Sequence, residues 1–150
     1  MSWGARTWTT AELVTASIMN SYVRDPLTDL QKRVISISIG DPIGPVLSTG
    51  VKAYVEVPFA CNVVGWTLLA DAVGSIVIDV WKDTFGAFPP TVADTITGSE
   101  KPTLAAVQKN QDLTLTTWTT LIPAGSILAI KIDSCSGIRQ AALTLRAELA

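Results

Sequence analysis

Apolar residues recur at helical spacing only in the first part of the chain. Leu13, Val14, Ile18, Met19, Tyr22 and Val23 lie three and four apart, the mark of one helix face. Thr9 with Glu12 has the form of a capping box, and Thr15 offers a second start at Ala16. Asp25-Pro26 reads as another helix start, with Asp25 as N-cap and Pro26 at the first helical position. Leu27, Leu30 and Val34 form the stripe of that helix. Lys32 and Arg33 suit the negative end of its dipole. Helices this short do not hold their shape alone in water, so their apolar faces are expected to dock on something. Residues 41–46, with two prolines and a glycine, stop the helix and stiffen a joint. The pattern therefore predicts a helical arm and linker over 1–45 and a second domain over 46–150.

In that second domain the period changes to two. Val51, Ala53, Val55 and Val57 alternate with Lys52, Tyr54 and Glu56, a half-buried strand. Residues 63–71 predict another strand, with Trp66, Leu68 and Ala70 on one face. Residues 75–81 predict a third, with Ile76, Ile78 and Val80 opposite Val77, Asp79 and Trp81. Gly74-Ser75 suits a hairpin between these two. Residues 82–112 read as a long irregular stretch with short helical turns at 91–95 and 103–109. A connection of that length is usually functional or a covering lid. Strands are expected again at 113–120, 126–133 and 138–148, with turns at 123–126 and 134–137. The fold class predicted is mainly β: an antiparallel β-sandwich, jelly-roll-like, preceded by a short helical N-terminal arm.

Composition sharpens this picture. The 150 residues are 48% apolar and only 16% charged, so surface is expected to be hidden against copies of the chain or a partner. A net charge of −2 gives no basic footprint for nucleic acid or an anionic membrane. There is no histidine, which removes Ser-His-Asp and Cys-His nucleophiles, HExxH zinc sites and the usual general base near neutral pH. The two cysteines, Cys61 and Cys135, form no CxxC pair and are expected to be buried free thiols, an inter-strand bridge being the alternative. The opening MSWGARTWTT has no apolar h-region, so no secretory signal is expected. The uncharged run 113–130 is broken by Pro123 and Gly125 and reads as strand, turn, strand rather than a membrane span.

Candidate chemistry is sparse. Paired acids can hydrolyse glycosides, but the acids of the second domain fall mostly at strand ends and in loops, where they cap and solubilise. No calcium loop or phosphate-cradling glycine run is present. No catalytic residue, metal or cofactor is assigned, and an enzyme is not expected. The five tryptophans say more. Trp66 is read as core. Trp81 and Trp118 are candidate glycan-stacking or interface aromatics. Trp3 and Trp8 stand in a polar segment with no local core and are expected to be covered by another chain. With Leu13, Ile18 and Tyr22 they make the candidate capsid or oligomer interface.

The stretch from Thr7 to Ala16, then Asn20 and residues 23–27, resembles the N-terminal arm of tailed-bacteriophage structural proteins. Residues 65–71, 75–83, 88–94 and 109–112 resemble one of their β-sandwich modules, shared among capsid decoration, head-fibre and tail-fibre proteins. The resemblance implies a virion structural protein, made in the bacterial host cytoplasm and often trimeric, with the major capsid protein or other virion proteins as partners. It brings no catalytic or metal-binding residues. An anchor and one knob, with no shaft, favour a capsid decoration or cement protein. A small tail fibre or receptor-binding knob that recognises surface glycan is the alternative.

Overall fold

The computed structural model describes Thr7, Thr9, Ala11 and residues 13–150. The chain divides into two compact units, Met1–Lys32 and Arg33–Ala150.

In the first unit the helical residues, 16–31, form one continuous rod. Thr15 caps α1 (Ala16–Met19), its hydroxyl accepting from the Ile18 N–H at 3.3 Å. The rod continues through a π turn (Asn20–Arg24) into α2 (Asp25–Gln31). Asp25-Pro26 therefore does not start a separate helix; Pro26 sits inside a continuous helical path. A proline there lacks the N–H for its i−4 partner and crowds that carbonyl. Widening the preceding turn to the i→i+5 pattern, with the Asp25 N–H on the Asn20 carbonyl, relieves both. The rod stops at Gln31, so Val34 belongs to no helical stripe. Among the described residues of this unit none is buried.

The second unit is a mainly-β, antiparallel, sandwich-like fold of seven strands: β1 (Lys32–Gly40), β2 (Gly50–Val57), β3 (Cys61–Thr84), β4 (Thr103–Asp112), β5 (Leu121–Ile122), β6 (Ser126–Ser136) and β7 (Gln140–Leu149). They form one curled sheet in the order β1-β7-β3-β6-β2, with β4 and β5 also on β3. Residues 32–40 are thus a strand of the sheet and not the end of an arm. Ile35, Ile37 and Ile39 point into the core while Ser36 and Ser38 point out, a period of two that overrides the helical stripe proposed through Val34.

The sandwich is made by bending one long strand. The first half of β3 pairs with β7, from Cys61↔Leu149 to Ala70↔Ala141. Its second half pairs with β6, from Ser75↔Ser136 to Thr84↔Ser126. No hairpin forms at Gly74-Ser75, because both flanks find their partners in the same ribbon, β6 and β7. Gly74 serves the bend in another way. A Cβ there would stand 2.6 Å from the Ser136 carbonyl and 2.7 Å from the Ile138 side chain, so only glycine lets Ile138 plug the corner. Asp71 accepts from the Arg139 and Gln140 N–H groups at 3.1 and 3.0 Å, satisfying amides that the turn leaves without strand partners. Ile76, Ile78 and Val80 then meet Leu68, Trp66, Leu143 and the β1 isoleucines in a single core.

Two further stretches differ from the pattern. Residues 103–109, rich in alanine and good helix formers, are strand β4, because pairing with β3 outweighs propensity. Residues 113–120, whose threonines suggested a strand, are irregular. Glu100 accepts from the Thr116 and Thr117 N–H groups at 2.8 Å each and from both hydroxyls, holding the segment as a loop. Cys61 and Cys135 are free thiols. They lie at separate places on the ribbon, opposite Leu149 and Ile76.

Candidate functional site

One polar network of the second unit centres on Asp79, in the second half of β3. Asp79 is buried, 2% exposed in its side chain, and receives the Thr95 and Thr97 hydroxyls at 2.6 and 2.8 Å. Lys101 bridges it at 2.9 Å to Asp133 at 2.7 Å, and Lys131 closes on the other oxygen of Asp133. Burial alone would raise the Asp79 pKa. The hydrogen bonds from Thr95, Lys101 and Thr97 outweigh it and hold the carboxyl below its ordinary value. Asp133 is likewise raised by burial and lowered further by Lys101 and Lys131. Lys101 is pushed up, first by Asp133 and then by Asp79.

This arrangement is a lock. An acid pair for glycoside chemistry needs one carboxyl that keeps its proton. Here both are held below their ordinary pKa, Asp79 by Lys101 and the two threonines, Asp133 by Lys101 and Lys131. The network ties residues 95–101 across the sheet, aided by the Ile96 N–H on the Val80 carbonyl at 2.9 Å. The long connection after β3 therefore covers its own sheet face. Two shallow hollows of about 260 and 210 Å³ lie elsewhere, beside Asp71 and Gln140 and beside Asp83 and Pro123. In the second the Ser126 hydroxyl donates to the Pro123 carbonyl and the Lys82 ammonium to the Leu121 carbonyl, each at 2.7 Å. Among the described residues no group of Cys, Asp and Glu is arranged to hold a metal ion, and no helix is long and apolar enough to cross a membrane.

The tryptophans divide otherwise than their sequence neighbours suggested. Trp66 is core, as its face predicted. Trp81 and Trp118 are also inside, at 8% and 7% exposure, so neither is an exposed stacking platform. Trp81 points away from Ile78, but that face is covered. Thr95 bridges beside it and the Lys131 ammonium lies 5.6 Å from its ring centre. Trp118 turns inward from its threonine loop and donates its indole N–H to the Glu100 carbonyl at 3.0 Å. Sequence spacing cannot reveal such a covering segment, because the cover comes from far along the chain. The exposed aromatics of this unit are Tyr54, Phe85 and Phe88, of which Tyr54 and Phe88 stack edge to face at 4.9 Å.

In the arm, Leu13 is 80% exposed, Tyr22 is exposed and Ile18 is half-buried. Val14, Met19, Leu27 and Leu30 are exposed as well. Trp3 and Trp8 lie outside the described residues. An apolar helix with no buried side chain has no core of its own.

No family model and no curated protein matches the sequence. Among solved structures, a chain in the structure of infectious bursal disease virus, Gx strain, is similar at 16% identity and a TM-score of 0.34. The match covers 80% of this chain and 37% of that one, so this chain spans little more than a third of its neighbour's length. A likeness that slight carries no argument about role.

Proposed function

We propose that the protein is a virion structural protein of a tailed phage that decorates or cements the capsid. The helical arm anchors to the major capsid protein or to sister copies, and the β domain stands outward. It is not an enzyme, and it acts as a homo-oligomer, with a trimer expected from the phage resemblance. One observation carries the reading: an apolar helical arm without a single buried described residue, in a chain whose other unit has a complete core. The resemblance of the arm and sandwich segments to phage structural proteins supports the same reading, as does the lysine-locked acid pair, which is unsuited to hydrolysis. The tail-fibre reading is weaker, since Trp81 and Trp118 are not available to a sugar.

Quantitative mass spectrometry of purified particles and of tail-less heads tests this. Copy numbers commensurate with the capsid lattice, kept after tail removal, are the expected result. Loss with the tails would favour the fibre reading. Absence from particles would overturn both.

A further inference from the structure

Among the described residues the longer free strand edges of the curled sheet lie along residues 34–40 of β1, at β2 and along the outside of β4. Natural sheets blunt such edges, because a row of unpaired N–H and C=O groups is a template for another chain. Two of the three are blunted. On β2 the register shifts between Val51 and Ala53, and Lys52 and Glu56 punctuate the strand. On β4 the register shifts on both sides of Gly74, Ala106 takes a left-handed φ of 54°, and Lys109 and Asp112 add charge. β1 keeps its charges at its start, Lys32 and Arg33, and its glycine at its end, Gly40, leaving its middle without such a device. From Val34 to Ile39 it reads Val-Ile-Ser-Ile-Ser-Ile, without charge, glycine or proline. Its inner isoleucines keep 4–8% exposure, where Ile76, Ile78, Ile130 and Leu143 keep none.

We propose that β1 is a pairing edge for a second copy of this chain. Two β1 strands run antiparallel about a twofold axis at Ile37 and join two sheets into one. The sequence is symmetric about that point. Ile35 of one copy meets Ile39 of the other, Ser36 meets Ser38 and Val34 meets Gly40. Isoleucines thus continue one core face while serines line the other. A twofold contact uses the same edge on both copies and closes, so it covers the edge without starting a filament. This contact is separate from the trimer contact expected of the arm and stands whether or not the chain belongs to a virion. Both contacts together would close six copies in dihedral symmetry.

The test uses the full chain. Its sedimentation equilibrium should show even-numbered species, and hydrogen exchange over residues 34–40 should slow as concentration rises. Ser36→Lys with Ser38→Lys places lysines opposite lysines across the axis. It should weaken twofold association about tenfold or more. Ser36→Lys with Ser38→Glu places each lysine opposite a glutamate of the other copy and should keep the association. A folded double-lysine variant that associates as tightly as the unaltered chain would overturn the pairing. So would a purely monomeric chain, or a trimer whose residues 34–40 exchange at the same rate at every concentration. Should the double-lysine variant fail to fold, the concentration dependence of exchange in the unaltered chain decides by itself.

Discussion

The rod Ala16–Gln31 and the strand β3 are both unbroken stretches of regular structure rich in apolar residues, yet they spend those residues differently. In β3 nearly every inward side chain is sealed, with Cys61, Leu68, Ile76, Ile78 and Val80 at zero exposure. In the rod nothing is sealed. An antiparallel ribbon that bends can cover its own apolar face, because its two halves come to share one core. The described residues of the helix bury no side chain of their own. The difference marks which region carries the hydrophobic core.

The sharpest way to break that comparison is to cut the chain at two places. A chain beginning at Arg33 keeps β1 and should fold, with a melting temperature near that of the full protein. A chain beginning at Asp41 loses Ile35, Ile37 and Ile39 from the core. At roughly 2–5 kcal/mol for each large buried side chain, the loss rivals the ~5–15 kcal/mol that holds a domain together. Circular dichroism should show the Asp41 chain unfolded. A cooperative, unshifted melt would show that β1 is dispensable. Failure of the Arg33 chain would mean that the arm belongs to the core.

Single substitutions should separate the regions next. Asp79→Ala leaves Lys101 with Asp133 alone and the Thr95 and Thr97 hydroxyls with only each other. A loss of ~1–3 kcal/mol is expected in chemical denaturation. Leu143→Ala should cost ~2–5 kcal/mol. Leu13→Ala and Tyr22→Ala should leave the melt of dilute protein within about 0.5 kcal/mol of the original. In the assembled state each should cost ~1–2 kcal/mol of association, read as lower occupancy on particles or a higher dissociation constant. An arm variant that lowers the melt of dilute protein would show that the arm is already docked within the chain.

The smallest effect is a slope with pH. Glu100 is held down to about 2, first by the Thr116 hydroxyl and then by the Thr117 N–H. A carboxyl whose folded pKa is depressed adds stability that is complete above its ordinary 4.5 and is lost as pH falls towards 2. Asp79 and Asp133, also depressed, act in the same direction below their ordinary 3.8. The melting temperature should be flat between pH 7 and about 5 and then fall. Glu100→Gln should fall less steeply between 4.5 and 2. An unchanged slope would show that the clamp on residues 113–120 does not form.

The legible parts of the sequence were those with local causes. The cap at Thr15, the alternation of β2, the strands at 126–133 and 138–148 and the inward face of Trp66, Leu68 and Ala70 follow from side-chain spacing and backbone chemistry within a few residues. The absence of histidine and the low charge likewise narrowed the chemistry before any fold was known. Only tertiary structure decided the rest. The joint at Gly74 reads as a hairpin until both flanks find the same ribbon. Residues 32–40 read as a helix end until β7 offers an edge. Residues 103–109 read as helical until β3 does. Trp81 and Trp118 read as exposed until a lysine-bridged segment folds over one and the threonine loop turns the other inward. In each case the deciding partner lies tens of residues away. Long-range pairing is worth more than local propensity, and a single sequence does not show which edges will meet.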